Sequence, residues 1–397
     1  NNTRRLGVAM ALASQNTSLI DDIGPIADIL AAYSVESDYI RKVPDEIISI
    51  LASKGFFKMK LSSELGGLET DIITYMDVIE EISRIDSSVG WNTMIGNSSI
   101  GWPGSFLDDQ ATSIIFKDKK VPLASSVMQP SGKAIPVEGG YLLTGEWLFS
   151  SGIEHSEWVL AGFTITNETP FNHRIACIRK NELTVHDDWK VMGLQGTGSC
   201  SYSTSNLFVP SSFTWSMTND EPIRGGAINY LGRPGFVTMD HAAFALGVAK
   251  KALETIIEIS KTKIRGYNTD RKNVSERDSF KRDLGLAQTK LAAARALVKE
   301  THLKAWKYCE QKQVPPPMIQ SEMRNACVFA TETSEEVAHM AFKYGGGTAL
   351  YLHNNLQKYF RDLSASAQHM MVNNSSYENY ANFLLDIEGA DPMGLKA

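Results

Sequence analysis

Arg361-Asp362-Leu363-Ser364-Ala365-Ser366-Ala367-Gln368-His369-Met370 opens on a charged doublet and, eight and nine residues after the arginine, sets an imidazole beside a thioether. A thioether cannot accept a proton, whereas an imidazole donates or accepts hydrogen bonds near neutral pH. Of that last pair only His369 can carry proton chemistry. An unperturbed imidazole titrates near about 6.5, so a pH dependence just below neutrality is expected of it. Isolated histidines are more often satisfied core or surface residues, and His369 becomes a candidate only in the company of the rest of the chain.

The chain has 397 residues, 43% of them hydrophobic, enough for a large core and beyond the roughly 250 to 300 residues at which single cores divide. A net charge of -6 without a long Lys/Arg run argues against nucleic acid or an anionic membrane surface as partner. A small molecule or a protein is the expected partner. Cys177, Cys200, Cys309 and Cys327 lie far apart with no Cys-x-x-Cys pair, so neither a zinc knuckle nor a disulfide framework is indicated, and a reducing cytoplasm fits. The paired Arg4-Arg5 and the short apolar run after it superficially resemble a secretory signal, but read better as a tail or the first turns of a helix. No run approaches the roughly 20 apolar residues of a membrane span.

Three textures follow one another. Residues 1–118 read as helices, with Pro44-Asp45 as a helix start and Ile47, Ile50 and Leu51 on one face. Residues 119–215 carry short β-rich runs, Tyr141 to Thr144, Trp158 to Thr166, Arg174 to Arg179 and Tyr202 to Val209, separated by turn signals at Gly139-Gly140 and Asn167 to Pro170. A small antiparallel barrel or sandwich is expected there. Residues 216–397 return to helical periodicity, with Leu284, Ala287, Leu291, Ala294 and Leu297 forming a stripe for packing in a four-helix bundle.

Helices, a β domain and a helical bundle in that order resemble the acyl-CoA dehydrogenase superfamily, and the details carry the resemblance further. Gly55-Phe56-Phe57 with Ser63-Glu64-Leu65-Gly66-Gly67-Leu68-Glu69 resembles the first helical domain, and Asp86-Ser87-Ser88-Val89-Gly90-Trp91 the small-residue stretch beside its substrate cavity. Pro130-Ser131-Gly132-Lys133-Ala134, Gly140-Tyr141 and Gly145 through Gly152 resemble the strands that line the flavin. Gly193-Leu194-Gln195-Gly196-Thr197-Gly198-Ser199, Phe208-Val209-Pro210, Tyr344-Gly345-Gly346-Gly347 and Arg361-Asp362 complete the series. In the dehydrogenases a glutamate base stands where this chain has Met370. A histidine at this point is instead the habit of the flavin-dependent monooxygenases of the same fold.

The resemblance implies a two-component enzyme. A separate reductase delivers reduced FMN or FAD, oxygen adds to form a C4a-hydroperoxyflavin, and one oxygen atom passes to a small organic substrate, preferably aromatic. Ser151, just before Gly152, would bond near flavin N5, and His369 would hold a substrate hydroxyl or amine. Ser125, Ser126, Trp147 and Ser150 would line the flavin, Arg265 would meet its phosphate, and Trp91 and Asn92, with Met94 and Asn97 nearby, would line the substrate pocket. At Arg265 the expected aromatic-Gly continuation is replaced by Tyr267-Asn268-Thr269, so FMN and FAD both stay open. The family's usual assembly and the long apolar faces beyond Gly225 imply a homotetramer.

Other chemistries find less in the sequence. The glycines at 193, 196 and 198 do not make G-x-G-x-x-G, and no phosphate loop G-x-x-x-x-G-K-[ST] occurs, so nothing plainly binds NAD(P)H. Eight histidines include no His-x-x-x-His and one Glu-x-x-His, Glu336 to His339, so no metal is expected. The Asp240-His241 and His186-Asp187-Asp188 clusters read as core or surface. No Gly-x-Ser-x-Gly elbow supports a hydrolase. Three alternatives remain: an N- or S-oxygenase of the same branch, an acyl-CoA dehydrogenase with Asp240 as base, and a helical binding protein without flavin.

Overall fold

The computed structural model describes residues 19–166, 172–266 and 270–394. The first residues, Asn167 to Pro170 and Tyr267 to Thr269, each invoked above, lie outside the described residues.

Among the described residues, helices α1 (Ala27–Ala32), α2 (Ser34–Ile40), α3 (Asp45–Ser53), α4 (Ile72–Ile85), α5 (Ser87–Phe106) and α6 (Asp109–Ile115) precede the sheet. Helix α3 begins after Pro44 and buries Ile47, Ile48 and Leu51, with Ile48 taking the place expected of Ile50. Asp86 starts α5 by accepting a hydrogen bond from the Val89 amide, the usual service of an Asp N-cap. Helix α5 is buried on every side, although much of it is Ser, Asn, Thr and Gly. Small residues let neighbours close in: a Cβ on Gly90 would lie 2.1 Å from Ser83 Oγ on α4. Its polar side chains are therefore interior groups that must find partners.

Strands β1 (Ala124–Val137), β2 (Gly140–Trp147), β3 (Trp158–Ile165), β4 (His173–Arg179), β5 (Thr184–Val185), β6 (Tyr202–Pro210) and β7 (Thr214–Ser216) form one sheet in the order β5-β6-β2-β1-β3-β4-β7. All four β-rich runs become strands. The sheet differs from an all-antiparallel one at a single pair, since β3 runs parallel to β1, pairing Ala124 with Trp158. The cause is the connection: after β2 the chain turns at Ser150–Gly152, passes the start of β1 and re-enters along its other edge. The sheet encloses its own cluster of Leu143, Trp147, Val159, Phe163 and Tyr202.

Four long helices follow, α7 (Gly235–Thr262), α8 (Asp278–Cys309), α9 (Pro317–Gly345) and α10 (Asn355–Ser366), and then α11 (Ser375–Leu384). On α8 the buried set is Ala287, Leu291, Ala294 and Val298, while Leu297 is exposed, because a 3.6-residue period carries the inward face on to Val298. The hairpin β8 (Ile264–Arg265) and β9 (Lys272–Asn273) lies between α7 and α8. Among the described residues no helix is long and apolar enough to cross a membrane.

Candidate active site

The Arg361-Asp362 doublet proves to be a clamp. Asp362, fully buried on α10, accepts hydrogen bonds from the Leu194 amide at 2.6 Å, from Lys358 Nζ at 2.9 Å and from Ser87 Oγ. Lys358 also reaches Asp38 at 2.8 Å, and Arg361 donates to Gln357 and to the Met192 carbonyl. Together these tie α10 to the loop before β6. At Gly193 the contact is backbone on backbone, since a Cβ there would stand 2.2 Å from the Arg361 carbonyl oxygen.

That loop in turn holds the turn after β2. Ser150 and Gly152 donate their amides to the carbonyls of Cys200 and Thr197. A line of hydroxyls runs alongside: Thr197 Oγ1 donates to the Leu194 carbonyl at 2.8 Å, Thr197 and Ser199 are 2.6 Å apart, Ser199 and Ser151 are 2.7 Å apart, and Trp91 Nε1 donates to Ser151 Oγ at 2.8 Å. Each hydroxyl has one proton. With the Thr197 proton spent on Leu194, Ser199 must donate to Thr197 and Ser151 to Ser199. Ser151 is thus an acceptor toward Trp91, with one lone pair free.

Helix α10 ends at Ser366, three residues short of His369, which instead caps the 3-10 turn Met370–Val372. Its Nδ1 accepts the Met371 amide at 3.2 Å. In a neutral ring the proton must then sit on Nε2, facing away from that turn. Arg324 of α9, buried and within reach of the Asp391 charge, donates to the carbonyls of Met370, Met371 and Pro392 and so fixes the turn from below. Met370 points outward, 53% exposed.

Ser151, Trp91 and His369 meet. Trp91 sits edge-on to His369, with ring centroids 6.1 Å apart, while its indole N–H bonds Ser151. Asn92, one residue on, is buried with neither amide atom partnered among the described residues, and its oxygen lies 3.4 Å from where a Cβ on Gly152 would be. A buried amide with two donors and an acceptor unmet is costly, so this site is built for a ligand with a matching polar edge. An isoalloxazine has such an edge in its pyrimidine ring, and the residues fit a flavin on that ground. Ser126, half-buried, accepts from Ser99 at 2.9 Å.

Four expected contacts depart from the sequence reading. Ser125 and Ser150 bond each other at 3.0 Å and have no exposed surface, so they brace the turn and offer no hydroxyl to a ligand. Trp147 is wholly buried, stacked on Tyr202 and bonded to the Gly162 carbonyl, and belongs to the sheet core. Arg265, on β8, donates to the Lys343 carbonyl at the far end of α9 from Arg324. Nineteen residues of helix separate those levels, about 28 Å at 1.5 Å per residue, so Arg265 does not join His369 in one pocket. It lines a separate recess of about 500 Å³ with Asp270, Arg277, Ser279 and Tyr344.

Asp240 is likewise spent. It is buried against Lys60 Nζ at 2.6 Å and accepts from Ser98, while Lys60 also donates to Ser98 and the Phe236 carbonyl. A carboxylate so bound is unsuited to removing a substrate proton. Met94 and Asn97 are buried, and Asn97 bonds the Met59 amide and the Phe56 carbonyl, so both are structural. Among the described residues no group of three His, Cys, Asp or Glu side chains is disposed to hold a metal ion.

The sequence reading did not single out His241 for the site. Its ring lies 4.3 Å from His369 and 5.4 Å from Trp91, centroid to centroid. Burial pushes His369 down to about 4, and burial, with the neighbouring imidazole and the Lys60 charge, pushes His241 well below the ordinary histidine value. The expected titration near neutrality is thereby corrected: both rings are neutral at physiological pH. Ser199 and Thr197 were quoted only as part of the Gly193 to Ser199 segment and given no role in the site, although their alternation with glycine in Gly196-Thr197-Gly198-Ser199 was the available signal.

Residues 26–105 match the family model of the acyl-CoA dehydrogenase N-terminal domain, and residues 239–374 that of the C-terminal domain. The chain is 25% identical over 352 residues to an indole-3-acetate monooxygenase of Pseudomonas putida, covering 87% of each. It is 26% identical to the oxygenase subunit HsaA of a flavin-dependent monooxygenase from Mycobacterium tuberculosis, over 83% of this chain and 85% of that one. The crystal structure of XiaF from a Streptomyces species, in complex with FADH2 and glycerol, superposes with a TM-score of 0.86 at 22% identity, over 98% of this chain and all of the other. The chain belongs to the acyl-CoA dehydrogenase superfamily, in the branch of the flavin-dependent monooxygenases.

Proposed function

We propose that this chain is the oxygenase component of a two-component system that oxygenates a small aromatic substrate with reduced FMN or FAD delivered by a separate reductase. The observation that carries the reading is the meeting of His369 with Ser151 through Trp91. The indole-3-acetate monooxygenase supports an aromatic substrate, and the HsaA oxygenase subunit supports a partner that supplies electrons.

Bound reduced flavin supplies two electrons to oxygen, so that one oxygen atom enters the substrate and the other leaves as water. The chain's share is binding, orientation and exclusion of bulk water. Ser151, with its own proton committed to Ser199, would accept from an N–H of the reduced ring. Asn92 would meet its polar edge, and Ser126 lies on the adjoining strand. His369 donates from Nε2 to the substrate and holds its reacting position, while Trp91 is the apolar wall between the two. A homotetramer in the cytoplasm completes the proposal.

Purified protein with NADH and added FMN or FAD should not oxidise NADH, and oxygenated product should appear once a flavin reductase is supplied. Rapid NADH oxidation by this chain alone would remove the two-component reading. Titration with each reduced flavin without oxygen decides between FMN and FAD.

A further inference from the structure

His241 is buried to 4% exposure on α7, and among the described residues its ring makes no hydrogen bond. Its described ring neighbours are Trp91 and His369. The ring stands beside the imidazole already assigned to substrate, with its donor and its acceptor both uncommitted among the described residues.

The complementarity follows from counting protons. A neutral imidazole has one donor and one acceptor. His369 spends its acceptor on the Met371 amide, so toward the pocket it can only donate. His241 keeps an unprotonated nitrogen, and so can accept. Two rings whose centroids are 4.3 Å apart can both touch a single atom that needs one donor and one acceptor. A hydroxyl is such an atom. With His241 accepting, an aromatic ether lacks the proton that ring needs, a phenolate has lost it, and an indole N–H has no lone pair for His369.

We propose that His241 is a second substrate-contacting residue, accepting the hydrogen bond of an un-ionised aromatic hydroxyl whose oxygen accepts from His369 Nε2, so that the site selects phenols. This rests on the reading of the chain as an aromatic oxygenase. It goes further in naming the substrate class and the residue that sets it. Trp91, edge-on to both rings, keeps the pair from rotating apart and supplies the apolar contact for the ring that bears the hydroxyl.

The test is anaerobic calorimetry on the full-length protein loaded with reduced flavin, with 4-methylphenol, 4-methylanisole and indole as probes. The wild type should bind the phenol about tenfold more tightly than the ether or indole, the worth of one buried hydrogen bond. His241→Phe should erase that preference while reduced flavin still binds, and His241→Gln, whose amide oxygen can accept, should restore part of it. Equal affinity for phenol and ether in the wild type, or an undiminished preference in His241→Phe, overturns the proposal. If His241→Phe does not fold, His241→Gln against His241→Leu makes the same comparison, and loss of preference in Gln equal to that in Leu counts against it. Turnover with a reductase and oxygen separates the two readings. An enzyme that oxygenates indole but shows no phenol preference keeps the function and loses His241, whereas one that binds phenol selectively and oxygenates nothing keeps His241 and loses the function.

Discussion

Ser151 accepts from Trp91 and donates to Ser199 because Thr197 has already spent its proton on Leu194. Ser151→Ala removes the acceptor, and reduced flavin should still bind, but more hydrogen peroxide should be released per oxygen consumed, in keeping with the loss of one hydrogen bond worth about 0.5 to 1.5 kcal/mol. Ser199→Ala leaves Ser151 without its proton acceptor and frees that hydroxyl to turn, so a smaller change in the same direction is expected. An oxygen electrode with a peroxide assay reads both, and unchanged coupling in Ser151→Ala would place the serine outside the site. At His369 the expected change in His369→Ala is a product yield lower by about 100-fold or more, with peroxide rising in its place. Burial holds this imidazole at about 4, so wild-type single-turnover yield should be flat from pH 6 to 8 and fall only toward pH 4, where a protonated Nδ1 can no longer accept the Met371 amide. A midpoint near 6.5 would mean that the ring is more open to water than its packing indicates.

At the level of elements, two braces set the site. Arg324 carries the turn that bears His369, and Asp362 pins the loop that bears Thr197 and Ser199. Asp362→Ala leaves Lys358 with Asp38 as its remaining acid and the Leu194 amide without its partner. A buried ion pair broken from one side costs about 3 to 5 kcal/mol, and the second acid at Asp38 puts the expected loss at the lower end, measurable by urea unfolding. Arg324→Met should lower stability and also lower product yield relative to reduced-flavin binding, because the turn of His369 loses its donors while the Ser151 region does not. If flavin binding and product yield fall in step, Arg324 supports the whole fold and not the turn.

Across the whole molecule, acid is the predicted weakness. His302 lies in the bundle core with Nε2 against Thr238 Oγ1 and Nδ1 against the Val298 carbonyl, and burial pushes it down to about 4. Its folded-state value lies below the roughly 6.5 of the unfolded chain. The stability it contributes is therefore present above pH 6.5 and is lost as pH falls toward 4, an effect on the order of 3 kcal/mol. Unfolding free energies measured at pH 7, 5.5 and 4.5 should fall more steeply in wild type than in His302→Gln, and equal slopes would contradict the assignment. Light scattering should return four times the 43.8 kDa chain mass.

Periodicity and turn chemistry sufficed for the order of helices, strands and bundle, and for the strands Tyr141 to Thr144 through Tyr202 to Val209, because those signals are local. His369 and Ser151 became candidates only through the resemblance to the family, which puts Met370 where the dehydrogenases carry their base and a serine just before Gly152. Composition could not say that β3 would lie parallel to β1, since that depends on which edge of β1 the chain meets after Ser150–Gly152. Nor could spacing reveal that Trp147, Ser125 and Ser150 turn inward, or that Arg265 stands a helix length from His369, because inward and outward are decided by what packs opposite. Asp240 and His241 make the contrast sharpest. As neighbours in sequence they read as one polar cluster, yet about 100° of helical rotation sends the first to Lys60 and the second to His369, and only the packing of α7 against its neighbours determines which of them can meet a ligand.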